Sequence, residues 1–544
     1  MTSAAARTAG TTGPPDPASP WAPLRNKAFR VLWIASAVSN VGAWMQTVGA
    51  QWYLLDAHAA PTLVALVQSA TSLPVFLLTL PAGVLAEFLD RRRVLLAVQC
   101  FQVLLTALLC LLTFSGHLTP TALLLTTFLL GCGSAVQLPA YQALVPTLVA
   151  PAQIGAAASL SSIGVNLARA VGPAVAGLLV GSLGVGGLFA LNGLTFAVFV
   201  VALLSVPAPT AAPPGPHPRF VQGLQAGGRY VRHSPFVRRA LLRLVLFVVP
   251  ANVLWALLPL LAQQRLGLGS AGYGLLLAAA GVGAVAGALL MPRLARALDP
   301  TARLAWSGAV FGAGMLVLGT GRSLPLALGT LLPVGVAWIV VIAGLNSAVQ
   351  ASLPPWVRAR ALSIYQVVLF SATAASAALW GVVAQRTGLP QAFGAAGVLL
   401  LAGTLSARWW RLHEHPAGAR EVVDYWPALD VAAPGPADGE DEHTGPVLVQ
   451  IRYEVAPGQL ARFLSAAGPV EHSRRRTGAL SWELYRCLDE PGVLVEQFTV
   501  ADWDDHLAQH RERLTRTDQQ DQERLRAAAT RVGDARHLVR VPRP

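Results

Sequence analysis

The stretch Pro81-Ala-Gly-Val-Leu-Ala-Glu-Phe-Leu-Asp-Arg-Arg-Arg93 stops one long apolar run at two carboxylates and three arginines, and another apolar run starts directly after it. Residues 62–85 before it carry no charge, nor do residues 94–115 after it. Each run has about the 20 residues that an α-helix needs to cross ~30 Å of hydrocarbon, so the stretch reads as a short loop between two membrane spans. Glu87 and Asp90, close to the Arg91–Arg92–Arg93 cluster, can pair with it or with the positive N-terminal end of a helix in one conformation and lose those partners in another. The simpler role for the arginines is to hold the loop on the cytoplasmic side.

Outward from this loop, the composition has the same character. Of 544 residues 54% are hydrophobic and only 12% charged, and the mean hydropathy is +0.53, which excludes an ordinary soluble protein. The charge is divided unevenly. Residues 1–412 hold 24 Lys and Arg against five acids (Asp16, Asp56, Glu87, Asp90, Asp299), a net of +19; residues 413–544 hold 16 against 22, a net of −6. No basic face interleaved with aromatics occurs, so the overall +13 belongs to loops beside a membrane surface rather than to a nucleic-acid footprint. Cys100, Cys110, Cys132 and Cys487 show neither paired spacing nor a metal motif, and neither a metal nor a cofactor is expected.

Apolar runs recur at 29–55, 62–85, 94–115, 121–144, 156–183, 186–206, 240–263, 273–294, 302–321, 324–347, 362–385 and 391–409. These predict twelve spans in two sets of six, an all-α membrane bundle. The domain plan is a disordered start (1–26), a first half (27–206), a central loop (207–239), a second half (240–412), an acidic linker (413–444) and a soluble domain (445–541). With the N-terminus inside, Lys27 and Arg30, Arg91 to Arg93, the central loop, Arg293, Arg296 and Arg303, Arg358 and Arg360, and Arg408 and Arg411 all fall on one side. Only Arg265, Arg322 and Arg386 lie opposite, so both termini are expected in the cytoplasm of a cell-membrane protein.

Gly83-x-x-Ala86-Glu87-x-x-Asp90-Arg91-Arg92 resembles the loop signature of the major facilitator transporters between their second and third spans. Glu87 stands for the family's Asp, Phe88 for its first Arg and Asp90 for its second Gly. The sequences at 130–146 and 166–179 resemble the fourth and fifth spans of the secretion-effector branch of that superfamily, which includes relatives of a siderophore exporter. Within the fifth span, Arg169-Ala-Val-Gly172-Pro173-Ala-Val-Ala-Gly177 resembles the antiporter motif. Small residues there let helices approach closely and Pro173 bends its helix. Plain packing explains a small-x-x-x-small pair such as Gly283 and Gly287 equally well. Arg169 is different: an unpaired charge inside a span costs at least ~2.5 kcal/mol, so it is expected to face the bundle interior.

The resemblance implies a secondary active transporter, an exporter of an amphipathic organic compound by alternating access, with a conformational latch at Gly83, Glu87, Asp90, Arg91 and Arg92. Candidate cavity residues are Asn40, Gln46, Gln51, Gln137, Asn166, Arg169, Asn252 and Asn346, the alternative for each amide being a hydrogen bond between helices; Trp44, Trp52, Trp255 and Trp338 either line the cavity or anchor at the membrane interface. Proton coupling has few carboxylates to use, and Asp56 and Glu87 are the candidates.

After the linker, Val447, Val449, Ile451 and Tyr453 alternate as a strand, Leu460 to Val470 has helical spacing, and two strands follow around Asp489-Glu-Pro-Gly492. A second helix is expected to carry Trp503, Leu507 and Leu514, and a strand to close at 537–541. This βαββαβ order predicts a ferredoxin-like domain that resembles antibiotic-biosynthesis monooxygenases of the dimeric α+β barrel type. The tail is expected to serve as a docking or dimerisation module. The alternative is a membrane-anchored enzyme or sensor with a pocket near Trp482, Trp503 and His506; His506 and His510 share a helical face but lack a third ligand. The expected partners are thus a small-molecule substrate, membrane lipid and no nucleic acid.

Overall fold

The computed structural model describes residues 21–206, 220–406, 423 and 445–539. The expected disordered start up to residue 20, the Pro-rich opening of the central loop and, apart from residue 423, the acidic linker lie outside these. The first half is built from α1 (Lys27–Asp56), α2 (Pro61–Phe88), α3 (Arg91–Phe114), α4 (Pro120–Leu148) and α5 (Ile154–Ser205). α5 is two spans in one: Gly184, at φ 67° and ψ 175°, breaks it where the sequence predicts the turn between the fifth and sixth runs. Only glycine enters that backbone region without strain. A short α6 (Phe220–His233) leads to the second half, α7 (Pro235–Leu260), α8 (Ser270–Ala297), α9 (Pro300–Thr320), α10 (Leu324–Ser352), α11 (Pro355–Thr387) and α12 (Leu389–Leu405). α7 begins five residues before the expected 240, because Pro235 suits a first helical turn and the arginines that follow tolerate the membrane surface.

Among the described residues nine helices are long and apolar enough to cross a membrane. Counting the two arms of α5 separately and adding the amide-bearing α1 and the 17-residue α12 gives twelve spans. Side-chain caps start several of them. Asn26 accepts from the backbone N–H of Ala28 and Phe29 (2.9 and 3.2 Å), Asp90 from Arg92 and Arg93 (2.9 and 3.0 Å), Thr119 from Ala122 and Asp299 from Ala302 (both 3.2 Å). Each half then packs internally through small residues. A Cβ on Gly335 would meet the Ala284 nitrogen at 2.9 Å, and one on Gly287 the Val336 Cα at 3.0 Å, so α8 and α10 run backbone against backbone. The Gly283 and Gly287 pair is thus a packing seam.

The tail forms β1 (Val447–Glu454), α13 (Leu460–Thr477), β2 (Ser481–Arg486), β3 (Val493–Val500), α14 (Trp503–Ala508), α15 (Arg516–Ala527), β4 (Arg531–Val532) and β5 (Arg536–Val539). The antiparallel sheet has the order β2-β3-β1-β4, with β5 also paired to β1. Two corrections follow. The expected second helix is two helices, since Leu514 leaves the helical region and Thr515 opens α15 with a capping box; an extra two-residue strand, β4, precedes the expected final strand β5, and the two meet opposite ends of β1. Val447, Val449, Ile451 and Tyr453 turn inward against Phe463, Ala467 and Val470 of α13.

This domain docks on the second half of the bundle. The Arg476 guanidinium lies 5.7 Å from the Tyr230 ring of α6, and Arg513 lies 5.1 Å from the Trp356 ring at the start of α11. Tyr230 and Trp356 meet edge to face at 5.9 Å, and the Tyr230 hydroxyl donates to the Ser352 carbonyl. The end of the bundle that carries the domain is called proximal below, the opposite end distal.

Candidate transport pathway

The close approaches between the two halves gather at the distal end. On one side, α5 meets α8 at Gly177 and Gly274, where a Cβ on Gly177 would fall on the Gly274 Cα, 2.8 Å from its nitrogen and 3.0 Å from the Ser270 carbonyl oxygen. On the other, α2 meets α11: a Cβ on Gly381 would sit 2.9 Å from the Thr62 Cα, Thr62 bonds Gln385, and the Ser69 hydroxyl donates to the Ala374 carbonyl at 2.7 Å. Between these seams the Tyr273 hydroxyl donates to Gln51 Oε1 (2.7 Å), Gln51 Nε2 donates to the Trp255 carbonyl (3.4 Å), and Trp52 stacks on Tyr273 at 6.1 Å. The distal end is therefore sealed.

Arg169 sits on α5 fifteen residues after its start, about 22 Å along the axis at 1.5 Å per residue, hence in mid-bundle. At about 100° per residue its direction falls between that of Gly172, which packs on Trp44 and Val41 of α1, and that of Gly177, which packs on α8. It therefore points into the space between the halves. Its side chain is exposed although it lies at this depth, so that space is open, and its guanidinium lies 5.8 Å from the Trp44 ring. Among the described residues no carboxylate forms a salt bridge with it. In the core of the second half, Trp255, Trp338, Phe247 and Phe311 form an aromatic cluster with ring centroids 5.3 to 6.1 Å apart.

The other expected site residues divide into two groups. Gln51 belongs to the distal seal, Gln46 is buried against Asn192 (3.4 Å), and Asn252 is buried with its amide donating to Ser376 Oγ and the Thr373 carbonyl, both at 3.0 Å. These three are buried in contacts between helices, although the Gln46 Nε2 makes no hydrogen bond there. Half-buried Asn40 donates back to the Ser36 carbonyl at 2.8 Å, Gln137 is half-buried, and Asn346 bonds Gln350 one turn on. Asp56 is exposed at the distal end of α1. Sequence reasoning missed Asn192, Gln99 and Gln102, all fully buried, and Tyr273; the glycine beside Tyr273 was the available signal.

At the proximal loop the surroundings of Gly83 and the side chain of Glu87, like that of Asn166, lie outside what the structure describes. Asp90 spends its carboxylate on the cap of α3. Arg92 donates to the carbonyls of Leu203 and Leu204 (2.9 and 3.2 Å), satisfying the open end of α5, and Arg91 is exposed.

In the tail, Glu496 is fully buried and accepts from Arg474 (3.2 Å), Trp482 Nε1 (3.0 Å) and the Tyr453 hydroxyl (2.9 Å), so Trp482 is tied into the core. His506 lies 4.7 Å from His510 and 4.9 Å from His537 between ring centroids, beside Trp503. Burial, with His537 and Arg474 nearby, pushes the His506 pKa down to about 3, so the ring is neutral. Among the described residues no cluster of three or more His, Cys, Asp or Glu is arranged to hold a metal ion.

The family model described as transmembrane secretion effector matches residues 18–543. The chain belongs to that family. This transporter is 29% identical over 334 residues to the enterobactin exporter EntS of Shigella boydii, covering 60% of this chain and 76% of that protein. It is 24% identical to the staphyloferrin A transporter of Staphylococcus aureus, covering 51% and 70%. Its structure is similar to that of a bacterial homologue of the lysosomal transporter Spinster in an inward-facing conformation, with TM-score 0.59 at 15% identity over 73% of this chain and 99% of that one. A peptide-transporter-family (POT) structure matches with TM-score 0.57 at 13% identity. The transporter is thus a multi-pass membrane protein of the major facilitator type.

Proposed function

We propose that the transporter exports an amphipathic organic compound, of the siderophore, drug or secondary-metabolite class, by alternating access, and that the tail is not an enzyme. The observation that carries this reading is Arg169: a charge held over Trp44 in an open mid-bundle space, with the distal end sealed, suits an anionic or polar group on a largely apolar ligand. The staphyloferrin A transporter and the enterobactin exporter support the substrate class, and the exporter supports the outward direction.

In this reading the proximal end faces the cytoplasm, as the arginine bias of the loops requires, and both termini lie there. The open space is then loaded from inside. Release outside needs the seals at Gly177 and Gly274 and at Thr62 and Gly381 to part, with the halves rocking about Arg169. The loop residues Gly83, Glu87, Asp90, Arg91 and Arg92 set the balance between the two states, Arg92 by holding the end of α5 and Glu87 as the titratable partner. Asp56 and Glu87 are the groups available for proton coupling.

The test is export from cells carrying the full chain against cells carrying it with residues 413–544 deleted. Accumulation of a secreted metabolite inside cells that lack the gene, cured by either form, supports the assignment. Efflux of no organic solute by the full chain overturns it, and loss of turnover by a correctly inserted truncated bundle assigns the chemistry to the tail.

A further inference from the structure

The docked tail covers the surface that a closing proximal end would need. At the distal end α2 and α11 run antiparallel, with Gly381 packed on Thr62 and, seven residues on along α2 and seven back along α11, Ser69 bonded to the Ala374 carbonyl. Carried to the proximal end, 25 residues along each helix, this register sets Glu87 opposite Trp356. At about 100° per residue, 25 residues return to within about 20° of the starting direction. Trp356 therefore lies on the stripe of α11 that carries Gly381, and Glu87 on the stripe of α2 that carries Thr62. The facing stripes are buried at Ala65, Ser69 and Ala374 and half-exposed at Phe76, Val367 and Phe370, so the two helices part toward the proximal end.

The tail fills the place thus left on α11. Arg513, just beyond α14, is fixed by Asp505 (2.6 Å) and by donating to the Thr477 carbonyl (2.8 Å), and its guanidinium lies over the Trp356 ring. One turn along α11, a Cβ on Gly227 of α6 would meet the Arg360 Cβ at 2.9 Å, so α6 is packed into the same corner. Closing the proximal part of α2 onto Trp356 requires Arg513 to leave it.

The interface is also suited to parting. Among the described residues three of its polar atoms, Arg229 Nε, Trp356 Nε1 and Asp505 Oδ2, are enclosed without a hydrogen-bond partner, and each weakens the docked state. Arg229 of α6 faces Asp505, which attracts it, and Arg513, which repels it. Long-range charge favours docking, with a net of −6 on residues 413–544 against +19 on the rest of the chain.

We propose that the tail is an autoinhibitory wedge: docked through Arg513 on Trp356, it keeps the proximal end of α2 from closing onto α11, and its release permits the distal-open state. The device presupposes the alternating access inferred above.

Spin-label distances on the purified full chain in lipid test this, with one pair across the distal end, one across the proximal end and one from the tail to α11. Trp356→Leu removes the ring beneath Arg513 and leaves the tail's own contacts intact; Arg513→Ala acts from the other side. Both should lengthen the tail-to-α11 distance, shorten the proximal one and raise the distal-open fraction at least about threefold, the effect of losing one cation–π contact. Arg452→Ala, which breaks an exposed tail pair with Glu490, should leave all three distances unchanged. A tail that lifts away while the other two distributions stay at wild type overturns the wedge, and so does a tail that stays docked in both variants. Gly177→Ala, at the contact of α5 with α8, is measured alongside. If it shifts the distal pair and the tail variants do not, the wedge alone fails; if none of them shifts it, the alternating-access reading fails.

Discussion

The distal seal offers the sharpest test of alternating access. Replacing Gly177 by Ala adds one methyl group where α5 and α8 touch, and that methyl would fall on the Gly274 Cα, 2.8 Å from its nitrogen. The obstruction is backbone, so no side-chain rotation relieves it. The reciprocal change, Gly274→Ala, would put a Cβ 2.6 Å from the Gly177 Cα. Overpacking of this kind costs about 1–3 kcal/mol. The cost falls only on the state in which the halves meet here, so the equilibrium should move toward the distal-open state by a factor of about 5–150. Gly181→Ala is the control: one turn on along the same helix, its Cβ meets only the Ser270 hydroxyl at 3.9 Å. Spin-label distances across the distal end and across the proximal end, measured on purified protein in lipid, should lengthen and shorten respectively in both gate variants. Gly181→Ala should match wild type. A distribution for Gly177→Ala indistinguishable from that of Gly181→Ala would refute the assignment of this contact as the gate.

Three further outcomes follow from the same geometry. Arg169→Ala should insert normally yet transport at background level, because a charge in a poorly screened interior is lost; normal export by this variant would remove Arg169 from the pathway. Asp90→Ala should cost about 0.5–2 kcal/mol by leaving the first N–H groups of α3 uncapped, read as a lower melting temperature that Asp90→Asn largely restores; an unchanged melting temperature would show that the cap contributes nothing. His506 is neutral when folded, with its pKa near 3 against about 6.5 unfolded, so the unfolded tail binds the extra proton. Tail stability should be full above pH 6.5 and decline as pH falls from 6.5 toward 3, by about 2 kcal/mol at pH 5, and His506→Phe should flatten that slope in a tryptophan-fluorescence melt of the full chain; an equal slope in both proteins would place the acid sensitivity elsewhere.

The tail shows a limit of pattern reading. Alternation in β1 and the turn at Asp489 to Gly492 predict the strands well, because period-two burial is a local property. The break at Leu514 and Thr515 was hidden, because a helix that ends and restarts keeps apolar residues at helical spacing on both sides of the joint. Likewise nothing in the spacing of Arg474, Trp482 and Glu496 announces that they share one buried network, since a helix and two strands must first pack together.

For the bundle, the sequence by itself determined the number of spans, their division into two sets of six and the basic loops, because hydrocarbon thickness and the cost of burying charge act on each segment separately. It also singled out Arg169, Gly172 and Gly177, since a charge or a small residue inside a span stands out without a partner. Which amides are tied to another helix was decided only by tertiary structure: Gln46, Gln51 and Asn252 look the same as Asn40 in sequence, and the difference lies in the Asn192, Tyr273 and Ser376 side chains that helices distant in the chain bring to them, while Asn40 bonds back to its own helix. The same holds for the gate, where Gly177 becomes a seal only because Gly274, 97 positions away, leaves room for two backbones to touch. A hydrogen bond or a close approach between helices belongs to a pair of residues, and a single chain read in order shows one member of the pair at a time.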